Sequence, residues 1–162
     1  MSLPPFEQVV TDHGAAVLRV CGALVGRGEA EDLWSETFLA ALAAYPRLRC
    51  GGHLRAWLLT IARNKAIDRA RRGERAPVPV DPLPDRAAPA SEPAHFDGPL
   101  WGALVRLAPK QRAAVAYRYI GDLPYAEVAT LLGTSESAAR RSAADGIASL
   151  RAALEHVNPE AL

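Results

Sequence analysis

The chain has 162 residues, of which 49% are hydrophobic and 23% are charged, and its net charge at pH 7 is only +1. This length suits one domain or two small ones, and the hydrophobic fraction is too high for a chain that is disordered throughout. A net charge near zero excludes a protein that coats nucleic acid by charge alone, so any contact with DNA must come from local basic patches.

The cysteine content and the hydropathy pattern exclude further classes. Cys21 and Cys50 are far apart and form no CxxC pair, which argues against a disulfide scaffold or a cysteine-rich zinc site. Cys21 is expected to be a core residue and Cys50 a passive loop residue. We see no secretory signal and no apolar run of the ~20 residues that a membrane span needs, so we expect a cytoplasmic protein without membrane insertion. Without a nucleophile–base pair, a phosphate loop or a metal cluster in the sequence, we expect no enzyme, no catalytic residue, no metal and no cofactor.

The first part of the chain carries two predicted helices. Apolar residues recur on one helical face from Phe6 to Val25, between a Pro-Pro pair and a glycine. An acidic first turn indicates a second helix from about Glu29 to Ala44. The apolar contacts expected from this second helix are Leu33, Phe38, Leu39 and Leu42. Asp32 and Glu36 share one exposed ridge, which suits either a solvated surface or a docking strip for a partner.

A third predicted helix, residues 53–72, changes character along its length. Its first half has an apolar stripe at helical spacing, formed by Leu54, Trp57, Leu58 and Ile61. Its second half is mostly polar, and the whole stretch holds six basic residues against one acidic residue, a local charge of +5. A helix that is anchored at one end and cationic at the other is suited to bind a polyanion, although an ordinary solvated helix end shows the same pattern.

Residues 73–98 differ in composition from the rest of the chain. Seven of the thirteen prolines lie between Pro77 and Pro99, and large apolar residues are almost absent. This composition is typical of an extended, flexible linker, and here the linker is acidic. We therefore predict a first domain at residues 1–72 and a second domain at residues 99–162, each near the lower size limit for an independent core.

The second domain is also predicted to be helical. A short helix carries Leu100, Leu104 and Leu107, and the next helix begins near Pro109, a residue that suits a first helical turn. Within that next helix we expect three residues to face the core: Val115, Tyr119 and Ile120.

The last two predicted helices have the pattern of a helix-turn-helix. Gly133 suits the turn, Ser135 suits the N-cap of a final helix over residues 136–154, and the small residues Ala129 and Ala139 allow the helices to approach closely. Four polar residues lie near the start of the final helix, where side chains reach bases and phosphates in a major groove: Ser135, Ser137, Arg140 and Arg141. The pattern alone would also fit a helical hairpin that has no role on DNA.

The combination of these segments is more specific than any one of them. Residues 28–48, GEAEDLWSETFLAALAAYPRL, and residues 53–72, HLRAWLLTIARNKAIDRARR, closely resemble region 2 of bacterial RNA polymerase sigma factors of the extracytoplasmic-function group. Residues 107–151 resemble region 4 of the same group. The resemblance implies an all-α fold with two small helical domains, a three-helix region 2 and a helix-turn-helix region 4, joined by the Pro-rich linker.

The resemblance also implies partners and contact residues. It assigns docking on the clamp helices of core RNA polymerase to the second helix, through Asp32, Leu33, Glu36, Thr37 and Phe38. It assigns binding and opening of the promoter's minus-ten element to the third helix, through Arg55, Trp57, Arg63, Asn64, Asp68, Arg69, Arg71 and Arg72. It assigns the minus-thirty-five element to region 4, through Ser135, Ser137, Arg140 and Arg141, together with contact to the polymerase flap tip. An anti-sigma factor is a further implied partner. Cations that neutralise phosphates and amides that reach base edges fit these roles chemically.

The final helix departs from the family pattern. Asp145 stands where a basic residue is common, and Gly146 in a helix interior costs ~1 kcal/mol relative to alanine. We therefore expect weaker contact with the minus-thirty-five element. Two alternatives stay open: a stand-alone helix-turn-helix regulator, and a degenerate sigma-like protein that docks on polymerase or on an anti-sigma partner without directing initiation.

Overall fold

The computed structural model describes residues 2–49, 52–75 and 98–157, and every regular element within these ranges is helical. In chain order the elements are α1 (Phe6–Val25), α2 (Arg27–Ala44), a 3₁₀ turn (Tyr45–Arg47), α3 (Leu54–Arg75), α4 (Pro99–Val105), α5 (Pro109–Val115), a π-helical segment (Ala116–Ile120), α6 (Tyr125–Leu132) and α7 (Glu136–Val157). The predicted all-α fold is confirmed. We predicted that the linker begins at residue 73, but α3 continues through Arg75. Linker residues 76–97 and Cys50 lie outside the described ranges.

Helices α1, α2 and α3 pack together as a bundle around a buried apolar core. Val17 and Val20 of α1, Leu33 of α2 and Leu58 of α3 are completely buried there. Cys21 is also buried, as the sequence predicted. A cluster of aromatic rings closes one end of the bundle, formed by Phe6, Trp34, Phe38, Tyr45 and Trp57. The bundle thus fixes the outer faces of α2 and α3 relative to each other.

In the second half of the chain, α4, α5 and α6 pack around α7, and the π-helical segment corrects one prediction. Val115 is buried as expected, but Tyr119 is 57% exposed and Tyr117 occupies the core at 2% exposure instead. The backbone N–H of Gly121 donates to the carbonyl of Ala116, five residues earlier, at 2.8 Å. A π-helical turn holds more residues than an α-helical turn, so the register shifts and Tyr119 points outward.

The helix-turn-helix between α6 and α7 forms as the sequence predicted. Gly133 adopts a left-handed conformation with φ of 65°, and the N–H of Thr134 reaches back to the carbonyl of Ala129 at 3.0 Å, a Schellman type of helix end. The Oγ atom of Ser135 accepts a hydrogen bond from the N–H of Ala138 at 3.1 Å and so caps α7. Ala139 is completely buried against the first helix of the pair.

Gly146 is a packing requirement rather than the weak point that we expected from helix propensity. A Cβ atom at this position would lie 2.6 Å from Cγ2 of Val115 and 3.2 Å from the carbonyl oxygen of Gln111. Because α5 crosses α7 so closely here, only a residue without a side chain fits. The close packing of α5 on α7 offsets the backbone entropy that a glycine loses in a helix.

The two halves of the chain contact each other along α1 and at the start of α3. The Cδ1 atom of Leu59, a fully buried residue, lies where a side chain on Gly121 would be, 2.9 Å from its ideal Cβ position. Nη1 of Arg55 donates to the carbonyl oxygen of Gly121 at 3.4 Å. The apolar stripe predicted for α3 therefore extends to Leu59, which packs against the second half and not within the first bundle alone.

Candidate polymerase and nucleic-acid interface

Only some of the residues predicted for polymerase docking lie on the outer face of α2. Asp32 is exposed and Glu36 is partly exposed, so both remain candidates. Leu33 and Thr37 are completely buried and Phe38 is 6% exposed, so a docked protein cannot reach their side chains in this conformation. The hydroxyl of Thr37 instead donates to the carbonyl of Leu33 at 2.7 Å. In this conformation the three residues build the core that supports the face, and their contact with polymerase stays a prediction.

An exposed apolar groove lies on the same helix, at two of the residues for which the sequence predicted apolar contacts. Leu39 is 68% exposed and Leu42 is 52% exposed, so neither belongs to the buried core. They line a shallow groove of about 400 Å³, here called the α2 groove, together with Phe6, Trp34, Ser35 and Phe38. Large apolar side chains grouped on a surface commonly mark a binding site for a protein. Sequence periodicity could not reveal the groove, because it does not show which apolar residues lack a partner helix.

The far half of α3 presents most of the residues predicted for the minus-ten element. Asn64, Asp68, Arg71 and Arg72 are exposed. Arg63 is partly buried and its Nη1 atom donates to Oδ1 of Asn64 at 3.4 Å. The Trp57 ring lies nearer the core, with its centroid 6.2 Å from that of Tyr45. The structure therefore brings cations and an amide together along one helix, which is the composition that a DNA-binding surface needs.

Arg69 is held by acids of α2 and does not project freely. Its Nη1 atom lies 3.0 Å from Oε1 of Glu36, and its Nη2 atom lies 3.8 Å from Oε2 of Glu29. The Arg69 side chain is 19% exposed. These ion pairs compensate its charge, so Arg69 connects the two predicted sites instead of adding a free cation to the DNA surface.

Arg55, at the start of α3, is also engaged within the protein. Its Nε atom donates to Nδ1 of His13 at 3.4 Å, and its Nη1 atom donates to Gly121. Partial burial lowers the pKa of His13 from its ordinary value of 6.5, and the nearby Arg55 charge lowers it further, while Asp12 acts in the opposite direction. Arg55 is thus a predicted minus-ten residue that binds the second half of the chain through a hydrogen bond.

The predicted minus-thirty-five residues lie together at the start of α7. Ser135 caps the helix, while Ser137, Arg140 and Arg141 are exposed beside it. Arg140 forms an ion pair with Glu136 one turn earlier and lies over the Tyr125 ring of α6. The contact between Arg140 and Tyr125 was not apparent from the sequence, since it depends on how α6 crosses α7.

Three further features of the described residues are the lack of a metal-binding group, a buried thiol and the lack of a membrane-spanning helix. No group of three or more His, Cys, Asp or Glu side chains among them could hold a metal ion. Burial raises the pKa of the Cys21 thiol to about 12, which keeps the sulfur protonated and unreactive. No helix in the described ranges has both the length and the apolar character to cross a bilayer.

Comparison with known proteins agrees with this arrangement of two helical units. The Sigma-70 region 2 family matches residues 9–76, and the Sigma-70 region 4 family matches residues 98–150. The RNA polymerase sigma factor CarQ of Myxococcus xanthus is 33% identical over 161 residues, which are 96% of this chain and 92% of CarQ. The chain belongs to the sigma-70 family. Its relatives place it in the extracytoplasmic-function group, so it is a sigma factor of transcription initiation.

Other relatives in the same group are longer than this sigma factor. SigE of Mycolicibacterium smegmatis is 30% identical over 82% of this chain and 54% of SigE. BldN of Streptomyces coelicolor is 34% identical over 70% of this chain and 46% of BldN. The chain therefore spans about half the length of these two relatives and nearly the whole length of CarQ.

Two solved sigma-factor structures share the fold. The sigma factor RpoE, solved in complex with the anti-sigma factor NepR from Bartonella quintana, has a TM-score of 0.74 at 22% identity and covers 93% of this chain and 96% of RpoE. CnrH, solved in complex with the cytosolic domain of CnrY, has a TM-score of 0.64 at 25% identity and covers 93% of this chain and 88% of CnrH. These comparisons confirm the predicted fold and do not favour a stand-alone helix-turn-helix regulator.

Proposed function

We propose that this sigma factor docks on the clamp helices and flap tip of core RNA polymerase, directs the enzyme to promoters, and helps to open them by binding the melted strand. It acts in the cytoplasm by binding alone and catalyses no reaction itself. The proposed domains are residues 1–72 for polymerase and the minus-ten element, 73–98 for the linker, and 99–162 for the minus-thirty-five element and the flap tip. The observation that carries the proposal is that one bundle presents an acidic and apolar face on α2 beside a cationic face on α3.

The polymerase contact is assigned to Asp32 and Glu36 with the α2 groove beside them. The groove supplies apolar surface through Leu39 and Leu42, and burial of such surface drives association at ~25 cal/mol per Å² of apolar area. The acids supply charge that orients a basic partner and excludes an acidic one. Leu33, Thr37 and Phe38 keep their place in the proposal as the core that holds this face in shape.

The minus-ten contact is assigned to the exposed half of α3. Arg71 and Arg72 can neutralise phosphates, and Asn64 and Asp68 can hydrogen-bond to base edges of a single strand. A protein that binds the melted strand better than the duplex shifts the equilibrium toward the open form by that difference in affinity. No nucleotide hydrolysis is needed for this step.

An anti-sigma factor is proposed as a regulatory partner. RpoE was solved with the anti-sigma factor NepR, and this chain shares the fold of RpoE over most of its length. The α2 groove is exposed and apolar in this chain, so a helix of an anti-sigma factor that covered it would also block polymerase.

Transcription with purified core polymerase on a library of genomic fragments, followed by mapping of the start sites, tests the proposal. We expect transcripts that begin at defined positions only when the chain is added, and fewer of them with Asp32→Arg. A chain that does not join core polymerase contradicts the docking assignment. A chain that joins and yields no position-specific transcripts supports the degenerate sigma-like alternative instead.

A further inference from the structure

Arg69 of α3 lies between two acids of α2 that are two helical turns apart. Its Nη1 atom is 3.0 Å from Oε1 of Glu36, and its Nη2 atom is 3.8 Å from Oε2 of Glu29. Glu29 and Glu36 are seven residues apart in the sequence, so they share one face of the helix. A cation within reach of two acids has two arrangements available, one with its closer ion pair at Glu36 and one with it at Glu29.

The closer ion pair leaves the Glu36 carboxylate incompletely bound. Its Oε2 atom is buried, and no described residue donates a hydrogen bond to it. A buried carboxylate oxygen without a donor costs free energy, so it reduces what the ion pair contributes to stability. The Glu36 side chain as a whole is 37% exposed, so rotation of the side chain brings the carboxylate into solvent, where both oxygens find donors. Glu36 is therefore the acid that can leave Arg69.

Glu29 can keep the charge of Arg69 paired when Glu36 leaves. The Arg69 side chain is only 19% exposed, and a cation in such a position is costly without an acid beside it. The Glu29 side chain is 60% exposed and lies in the first turn of α2, so it is free to change rotamer. Its present distance of 3.8 Å is longer than the ~2.8 Å of a charge-assisted hydrogen bond, so this contact can shorten.

A basic docking partner competes with Arg69 for Glu36. While Arg69 is bound to Glu36, it neutralises part of the negative charge that attracts the partner, and it repels the partner's own cations. We propose that docking on polymerase moves Arg69 from Glu36 to Glu29, which frees Glu36 for the partner, and that Glu29 is thus a positioning residue of the docking surface. The inference rests on the proposed polymerase contact of Glu36.

The affinity of the full chain for immobilised core polymerase, measured by biolayer interferometry, tests the exchange. We expect Arg69→Gln to bind about two- to fivefold more tightly than the unaltered chain, because Glu36 is then unpaired before docking. The factor is that of one partly exposed ion pair. Thermal unfolding should show that the same variant is less stable. A purely structural role of Arg69 would instead lower stability and affinity together.

The Glu29 variants test positioning. We expect Glu29→Gln to bind about two- to fivefold more weakly than Glu31→Gln, which removes the same charge from an exposed position on the other side of α2. When Arg69→Gln is added to each, the two should bind equally, because no cation is left for Glu29 to receive. Since Glu29 is mostly exposed, its replacement leaves the core intact, and the comparison of the two single variants holds even if Arg69→Gln does not fold.

The outcomes distinguish this inference from the function on which it rests. A folded Arg69→Gln variant that binds polymerase no more tightly than the unaltered chain overturns the exchange. Equal affinity of the single variants Glu29→Gln and Glu31→Gln overturns the role of Glu29. Both results leave the proposed docking through Glu36 intact, since that contact has its own test in Glu36→Gln. If Glu36→Gln binds as tightly as the unaltered chain, the proposed contact of Glu36 is wrong and the inference fails with it.

Discussion

The guanidinium of Arg69 on α3 binds the carboxylate of Glu36 on α2, with Nη1 and Oε1 3.0 Å apart. One of these residues was predicted to contact DNA and the other to contact polymerase. The ion pair is partly buried, and the second oxygen of Glu36, Oε2, is buried without a hydrogen-bond partner. The two surfaces therefore share a structural element, and a substitution at either residue affects both.

Arg69→Ala should lower the free energy of unfolding by about 1 kcal/mol, because it leaves the Glu36 carboxylate without its charged partner. Urea unfolding followed by circular dichroism measures this change. Arg72→Ala removes an exposed arginine three residues later on the same helix and should change stability by less than about 0.5 kcal/mol. Equal stability of the two variants would show that the ion pair contributes nothing measurable.

Replacing Leu39 and Leu42 by serine should reduce association with core polymerase by about tenfold or more, because both side chains are exposed in the α2 groove. The melting temperature should stay nearly constant, since neither leucine belongs to the core. Biolayer interferometry with immobilised core polymerase gives the affinity. Ala43→Ser, on an exposed position of the same helix, is the matched control. Full association of the double variant would remove the groove from the docking surface.

Gly146→Ala should destabilise the protein by about 1–3 kcal/mol, although alanine is the better helix former, because the added methyl group meets Val115 and the Gln111 carbonyl. Thermal unfolding measures the effect. Gly28→Ala, where nothing lies within 4 Å of the added atom, should be neutral or stabilising. Adding Val115→Ala to Gly146→Ala should cost less than the sum of the single changes, since it removes the clashing Cγ2 atom. Additive losses would point away from this contact.

The lowered pKa of His13 predicts that acid destabilises the folded chain through this residue. Between the folded pKa and the ordinary value of 6.5, the unfolded chain binds more protons than the folded chain, so stability rises with pH and is lost as pH falls. His13→Gln should therefore reduce the dependence of the unfolding free energy on pH below the ordinary value of 6.5. The exposed His53→Gln is the control, measured by urea unfolding at several pH values. An identical pH dependence in both variants would contradict the assignment.

Helix positions were predictable where local chemistry marks them. The bounds of α1 follow from the prolines before Phe6 and the glycine after Val25, and the cap of α7 follows from Ser135. Tyr119 was placed in the core because an α-helical period was assumed, and the π-helical segment changed that period. No local sequence pattern that we used predicts a π-helical turn at Ala116–Ile120.

The sequence predicted which helices carry the cations of the candidate site, but it did not predict which side chains pair between helices. The pattern of charges located the cations of α3 and α7 correctly on the exposed side of their helices, as Arg71, Arg72, Arg140 and Arg141 show. It could not show that Arg69 is paired with Glu36, because that depends on how two helices pack. The exposure of Leu39 and Leu42 was not predictable for the same reason, because an apolar residue is buried only if a neighbour covers it.

The contact at Gly121 has a consequence for reading a promoter. Leu59 packs on this glycine and Arg55 donates to its carbonyl, so the start of α3 stays in contact with the second half of the chain. The two promoter elements are separated by a number of base pairs and by the twist of the duplex. An added methyl group at Gly121 would meet Leu59 and the Tyr117 carbonyl oxygen, so this contact would have to shift, and with it the distance between the two surfaces that the protein brings to the DNA.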